Sequence, residues 1–388
     1  LPFRINILFL FLRFKNEEFM ADNYIERQQE QYEARKAAWK QAQKYGKKKT
    51  ATSSQVKTEV AGEIVSKPDS LKKRVFVTGG AEGIGRAIVE AFCKAAVKNG
   101  IDRIRIFDAL NDPRNMEAAI KYSKNAGAHV QSAMVYTISP VHTTESFLKV
   151  AETLVEMGTD SLCIKDMSGL LGPADAYDLV STFKKRFGEL PIDLHSHFTC
   201  GLASTTYWEA AKAGVDIIDT AISPFAHATS QPATETMIEM FKGTEWDLGL
   251  DLDKYIPLVD HFRKVKQQIA EEFNLKPASD VIPAVRRYQI PGGMLSNTQN
   301  QLNEMGMGDR FFDVMDEMPR VREDLGYPPL VTPTSQIVGT MAMMNVMMGD
   351  RYKMVPNEVK DLVRGKYGAL PGTITDEIRQ TIIGDEQP

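Results

Sequence analysis

The sequence predicts an α/β fold, an incomplete (β/α) barrel followed by a helical extension. Three observations carry this. Short apolar segments, "RIRIFDA", "VQSAMVYT", "SLCIKDM", "IDLHSHF" and "DIIDTAI", recur between residues 103 and 222, roughly every 30 residues. Each is separated from the next by a segment of helical period, such as "TESFLKVAETLVEM" or "AYDLVSTFKKRF". Polar residues gather at the C-terminal ends of these strands, the face on which such barrels carry their active sites. Beyond Leu250 the strands stop, and in "PLVDHFRKVKQQIAEEF" Leu258, Phe262, Val265 and Ile269 fall on one helix face.

Taken in chain order, "INILFLFLRF" holds an apolar run shorter than the ~20 residues a membrane-spanning helix needs. No small-residue cleavage site follows it. Met20 opens a sensible frame, so residues 1–19 read as translated upstream sequence. Residues 22–49 are rich in Gln, Glu, Lys and Arg, with Ile25, Tyr32 and Trp39 at seven-residue spacing. That pattern predicts a solvated helix with one thin apolar stripe. The chain is thus divided into a polar and helical tail with its linker (residues 1–70), a βα fragment (71–95), a barrel core (96–250) and a helical extension (251–388).

With 43% apolar and 25% charged residues the chain can bury a full core. A net charge of −4 offers no global field for nucleic acid, although Lys47, Lys48 and Lys49 form a local cluster. Cys93, Cys163 and Cys200 are odd in number and form no CxxC pair, which excludes a disulfide framework and fits a reducing cytoplasm.

The βα fragment is built on "RVFVTGGAEGIG". An apolar strand at residues 75–77 runs into Gly79, Gly83 and Gly85, and a helix follows from Arg86. Glycines give backbone room, and a helix N-terminus offers amide hydrogens to a pyrophosphate. The spacing TGxxxGxG resembles the short-chain dehydrogenase family over roughly residues 20–95. That family also needs a downstream YxxxK, and here the pattern occurs only as Tyr32/Lys36 and Tyr45/Lys49, ahead of the loop. The missing pair disfavours NAD(P) as a working cofactor; a nicotinamide-dependent reductase is kept as the alternative reading. Asp108, near the end of "IRIFDAL", offers a carboxylate for a ribose hydroxyl.

From about Phe92 onward the chain resembles the carboxyltransferase component of biotin-dependent enzymes: oxaloacetate decarboxylase alpha subunits, pyruvate carboxylase and transcarboxylase. The matching stretches are "GIDRIRIFDALND", "YTISPVHT", "CIKDMSGLL", "HSHFTCGLAS", "DIIDTAISPFAHATSQP", "YQIPGGMLSN" and "PRVREDLGYPPLVTPTSQIVGT", in family order. The resemblance implies the last five βα units of a TIM-type barrel plus the carboxylase extension, joined here to one Rossmann-like βα unit.

His195 and His197 lie two apart in a strand, so both side chains point one way. By themselves they are open to metal ligation or to chance. Lys165, beside Asp166, reads on its own as half of an ion pair. The resemblance implies instead that Lys165 is carbamylated and joins His195 and His197 on a divalent cation, Zn, Mn or Co. Thr332, in "VTPTSQIVG", would otherwise be a loop or cap residue. The resemblance makes its hydroxyl the carrier of a proton between the biotin ureido nitrogen and the pyruvate methyl. Ser335 and Gln336 match positions near the biotin ring, and the neutral Gln336 resembles the decarboxylase branch, since pyruvate carboxylases carry Lys there. His227 reads as structural, and "TMAMMNVMM" as an adaptable core helix.

The resemblance further implies biotin on a separate biotin carboxyl carrier protein, with oxaloacetate or pyruvate as the keto acid. It implies a homo-oligomer in the intact family, no membrane insertion by this chain, and room for association with a membrane decarboxylase complex. The "DTTLRDAHQS"-like segment that supplies the family's metal-binding aspartate and substrate Gln does not occur in this sequence, nor does the "LLRG"-like segment with its substrate arginine. "VEAFCKA", residues 89–95, suits both a dehydrogenase's first helix and the helix before the fourth carboxyltransferase strand. The expected product is therefore a chimera joined in that stretch, with an inactive fragment as a further alternative. An open barrel follows, in which "RVFVTGG" pairs with the strand near Ile106.

Overall fold

The structure, a computed structural model, describes residues 4–7, 83–274, 281–283, 285–290 and 292–385. Its centre is a six-stranded, wholly parallel sheet. The strands are β1 (Arg4–Ile7), β2 (Arg103–Phe107), β3 (His129–Val135), β4 (Ser161–Asp166), β5 (Ile192–Ser196) and β6 (Ile217–Thr220), in spatial order β1-β6-β5-β4-β3-β2. The five strands expected between residues 103 and 222 are all present. Among the described residues no strand pairs with the outer side of β1 or of β2.

Period-two alternation gives the sheet two unlike faces. Ile104, Ile106, Val130, Met134, Leu162, Ile164, Ile192, Leu194 and Ile218 form the apolar face of the main core. The helices that cover it are α2 (Pro113–Asn125), α3 (Thr144–Glu156), α4 (Pro173–Phe187), α5 (Ala203–Lys212) and α6 (Thr234–Phe241), with Met116, Ile120, Leu154, Phe183, Tyr207 and Phe241 buried between. Each such fully buried large side chain contributes about 1.5–3 kcal/mol. Local signals start these helices where they begin. Asp112 caps α2 ahead of Pro113, and Thr143 with Ser146 closes a capping box on α3.

The N-terminal region adds one strand that the sequence pattern did not mark. Within residues 1–19, expected as translated upstream sequence, Arg4–Ile7 forms β1 in parallel register with β6, from Arg4 opposite Ile217 to Ile7 opposite Thr220. Two β-branched residues in four suit a strand, and the outer edge of β6 offers unpaired backbone groups to any extended segment. This sixth strand lies beside β6, at the opposite edge of the sheet from β2. The expected strand at residues 75–77, the helix at 22–49 and Gly79 lie outside the described residues. The helix α1 (Gly83–Lys98) begins three residues earlier than expected, with Gly83 and Gly85 in its first turn.

Past the sheet come α7 (Leu252–Phe273), α8 (Val285–Tyr288), α9 (Gly292–Glu304), α10 (Phe311–Asp324), α11 (Thr334–Met348), α12 (Asn357–Val363) and α13 (Asp376–Ile383). Of the expected apolar stripe of α7, Leu258, Phe262 and Val265 are half-buried and Ile269 is exposed, while the buried Val259 lies off the stripe. The rest form a second core in which Val314, Met318, Val321, Ile337, Val338, Met341 and Leu362 meet Leu110, Leu170 and Cys200. Those last three follow β2, β4 and β5 directly, so the extension sits on the strand-end loops. Met341 supports the reading of "TMAMMNVMM" as a core helix, although Met347 and Met348 at its end are exposed. No described helix is long and apolar enough to cross a membrane.

Candidate active site

The inner sheet face is polar. Register places Arg105, Gln131, Lys165, Asp193, His195 and Asp219 on it. Lys165 stands directly opposite His195 on the neighbouring strand. His197 follows just past the end of β5, and its Nε2 lies 3.1 Å from Nε2 of His195. The HxH pair therefore converges as its spacing predicts.

An ion pair between Lys165 and Asp166, the plain reading of that dipeptide, does not form, because adjacent strand residues face opposite ways. Asp166 is fully buried on the other face, where it accepts from the Leu170 and Leu171 amides at 2.9 Å each and from the Ser196 hydroxyl at 2.8 Å. Lys165 instead places Nζ over the Phe107 ring, 5.3 Å from its centroid. Burial lowers the Lys165 pKa from its ordinary value. A buried amine that loses its proton more easily is the form a carbamylation requires.

Burial likewise favours neutral imidazoles, strongly so for His197, whose pKa falls to about 3, with the nearby His195 and Lys165 adding to the effect. Nδ1 of His195 lies 2.8 Å from Oδ2 of Asp219, and the Gln231 amide nitrogen lies 3.3 Å from its Nε2. Two neutral Nε2 atoms 3.1 Å apart need a proton or a cation between them, which fits a metal centre. Among the described residues no group of three His, Cys, Asp or Glu side chains could hold a metal. The donor set reaches three only with an anionic oxygen on Lys165.

Sequence reasoning did not single out the remaining inner-face charges. Arg105 reaches from β2 across to β5 and β6, donating to Asp219 at 2.6 Å, Asp193 at 2.9 Å and Gln131 at 2.5 Å. Ala133, Ser161 and Cys163 on the intervening strands are small enough to let it pass. Asp193 is pushed up to about 7 by burial and then by the charge of Asp219. Asp219 is held low despite its burial, through the His195 hydrogen bond and the Arg105 charge. The signal in the sequence was "RIRIF", whose alternation puts Arg103, Arg105 and Phe107 on one side.

Two local devices hold the strand ends. The β5–β6 ladder ends after Leu194 and Ile218, and the buried Tyr207 hydroxyl takes over there. It accepts from the Ser196 amide at 2.9 Å and donates to the Asp219 carbonyl at 2.7 Å. Gly169, with φ +69°, lets its loop approach His197 so closely that a Cβ would lie 2.6 Å from the His197 carbonyl oxygen.

The second group of expected residues lies in a cavity of about 650 Å³ at the junction of sheet and extension. Thr332, Ser335 and Gln336 line it together with Thr298, Gln301, Met343 and Met167, which follows Lys165 by two residues. Thr332 and Gln336 are exposed, whereas Ser335 is buried.

Other candidates are structural. Asp108 accepts from the Leu110 and Asp112 amides and from Asn115, so its carboxylate shapes its own loop and is not free for a ribose. His227 adopts a left-handed φ of 66°, and its ring packs tilted against that of Phe198, with centroids 4.8 Å apart. The three cysteines are buried and unbridged.

Comparison with known proteins agrees with this geometry. Residues 89–261 match the HMGL-like family, and residues 285–388 match the conserved carboxylase domain family. A pyruvate carboxylase subunit of Methanocaldococcus jannaschii is 53% identical over 303 residues, covering 78% of this chain and 53% of that protein. The methylmalonyl-CoA carboxyltransferase 5S subunit of Propionibacterium freudenreichii subsp. shermanii is 45% identical over 285 residues, covering 73% and 56%. The carboxyl transferase domain of Rhizobium etli pyruvate carboxylase, solved with pyruvate, superimposes with a TM-score of 0.73 at 29% identity, over 80% of this chain and 55% of that one. The chain spans about half the length of the curated relatives it matches. These relatives support carboxyl transfer over the nicotinamide-dependent reduction suggested by Gly79, Gly83 and Gly85. Residues 89–261 therefore carry an HMGL-like segment and residues 285–388 a conserved carboxylase domain, and through these two segments the chain is similar to pyruvate carboxylases and carboxyltransferases.

Proposed function

We propose that this chain carries the carboxyl-transfer site of a biotin-dependent carboxyltransferase, which moves a carboxyl group between oxaloacetate or pyruvate and biotin borne on a separate carrier protein. The observation that carries the reading is the shared cavity, where Thr332, Ser335 and Gln336 from the extension face Met167 at the end of β4. A solved relative holds pyruvate with biocytin, and another holds oxamate with biotin.

In this reading the Thr332 hydroxyl passes a proton between the biotin ureido nitrogen and the methyl carbon of pyruvate, while Ser335 and Gln336 orient the ring. His195, His197 and a carbamylated Lys165 would hold a divalent cation, zinc, manganese or cobalt. Such an ion, when bound, would polarise the keto acid and stabilise enolate charge. The surrounding apolar side chains, Met167, Met294 and Met343, keep water from the transferred group.

The test is oxaloacetate decarboxylation by the full chain, with biocytin in place of the carrier. Thr332→Ala should lower the rate by ~10²–10⁴-fold, the usual worth of a positioned proton carrier. Equal rates for the two proteins would remove Thr332 from the mechanism. A chain that retains the cation yet never releases pyruvate would be the inactive fragment. Self-association, expected from the intact family, is read by sedimentation of the same samples. We also place a junction between two coding sequences within residues 89–95, since the HMGL-like match begins at residue 89. Uninterrupted sequencing reads across those codons from independent cells would establish a gene fusion, and their failure to recur an assembly artefact.

A further inference from the structure

We infer that Asp219, steadied by Arg105, is the positioning residue that fixes the tautomer of His195 and so leaves Nε2 of that ring free to face His197 and the Lys165 side. The inference deepens the proposed cation site and rests on that reading only where it concerns cation affinity.

Imidazole carries its single proton on whichever nitrogen has the better acceptor. At Nδ1 of His195 the partner is the Asp219 carboxylate, 2.8 Å away and almost wholly buried. At Nε2 the neighbours are another imidazole nitrogen at 3.1 Å and an amide nitrogen of Gln231 at 3.3 Å. An amide NH2 donates, so it also prefers an unprotonated Nε2. Both sides of the ring therefore favour the proton on Nδ1.

Asp219 is held from two directions. Its side chain shares Oδ2 between His195 and Arg105, whose second arm is tied to Asp193 and whose Nε is tied to Gln131. Gln131 in turn donates to Asp193 at 3.1 Å, which closes the ring of bonds. The Asp219 backbone carbonyl accepts from Tyr207 at 2.7 Å. An acid needed only to neutralise Arg105 would be served by Asp193 as well. The further bond to His195 is the feature that makes Asp219 a support behind the ring, of the kind that orients ligating histidines in general.

Two measurements on the full chain test this. In the metal-free protein, nitrogen-detected NMR of ¹⁵N-labelled histidines reports which ring nitrogen bears the proton. The His195 signals are identified by their loss in His195→Gln. We expect a protonated Nδ1 and a bare Nε2; the reverse pattern overturns the inference without any variant of Asp219. Zinc affinity, measured by competition with a chromogenic chelator, should fall ~10–100-fold in Asp219→Asn. Asp219→Glu, which restores a carboxylate, should recover part of that loss. An Asn variant that folds and binds zinc about as tightly as the parent overturns the role. If the parent itself holds no zinc, the cation reading fails, and the nitrogen signals still decide the tautomer.

Discussion

Arg322 is the largest fully buried side chain among the described residues, and its described acceptors are all neutral: the Pro328 and Ile138 carbonyls at 2.9 and 2.8 Å, the Thr137 hydroxyl at 2.9 Å, and Gln289. Burial pulls its pKa down to about 10, so it stays charged near neutrality. The arginine ties the loop after β3 to the extension. Arg322→Met leaves several buried acceptors unmet, each costing about 1–3 kcal/mol, so the urea midpoint should drop by an amount worth at least ~2 kcal/mol. An unchanged midpoint would show those acceptors re-paired. Single residues were legible in the sequence where a spacing rule or a family motif marked them, as at Lys165, His195, His197, Thr332, Ser335 and Gln336. Arg105, Asp193 and Asp219 escaped because charges inside a strand declare their face but not their partners. Only the register of several strands brings them together.

At the scale of elements, Tyr207 shows how a helix can complete a sheet. Where β5 and β6 part, its hydroxyl holds the Ser196 amide and the Asp219 carbonyl. Tyr207→Phe removes both bonds and leaves a buried amide and carbonyl unpaired. Stability should fall by about 1–3 kcal/mol in urea denaturation. Zinc affinity should fall with it, because Ser196 lies between the two histidines and Asp219 loses its backbone anchor. A loss of stability with affinity intact would confine Tyr207 to packing. The five strands β2 to β6 were readable because each is a short apolar run bounded by turn residues. β1 was not, since four residues carry too little pattern to separate a strand from an arbitrary apolar stretch. α7 shows the converse: its apolar spacing reads as a buried face, yet Leu258, Phe262 and Val265 are only half-buried and Ile269 is exposed.

For the whole molecule, the sheet and the extension meet over strand-end loops that contain a histidine beside a buried cation. His142 sits after β3, with Nδ1 2.6 Å from the Ser139 hydroxyl, and its pKa is lowered to about 4 by burial and then by the Arg322 charge. The unfolded chain has the ordinary value of 6.5, so between pH 6.5 and about 4 it binds the proton that the folded chain refuses. Stability is therefore fully present above pH 6.5 and is lost progressively as pH falls toward 4, by roughly 3 kcal/mol for this group. His129, His195 and His197 slope the same way, since burial lowers each of them. The informative quantity is thus the difference between the parent and His142→Gln. That difference should shrink by ~3 kcal/mol or less across the window and stay flat above about pH 7. Asp112 acts lower down. Its carboxylate accepts from Arg114 and from the Ala369 amide and is held below its usual 3.8, so its contribution is complete above that value and disappears as pH falls through the folded pKa. Denaturation curves taken at about pH 7, 5.5, 4 and 3 on the parent, His142→Gln and Asp112→Asn should therefore separate the two groups by pH. Parallel curves for the parent and His142→Gln from about pH 7 to 4 would mean that His142 titrates normally and that Arg322 exerts no effect on it.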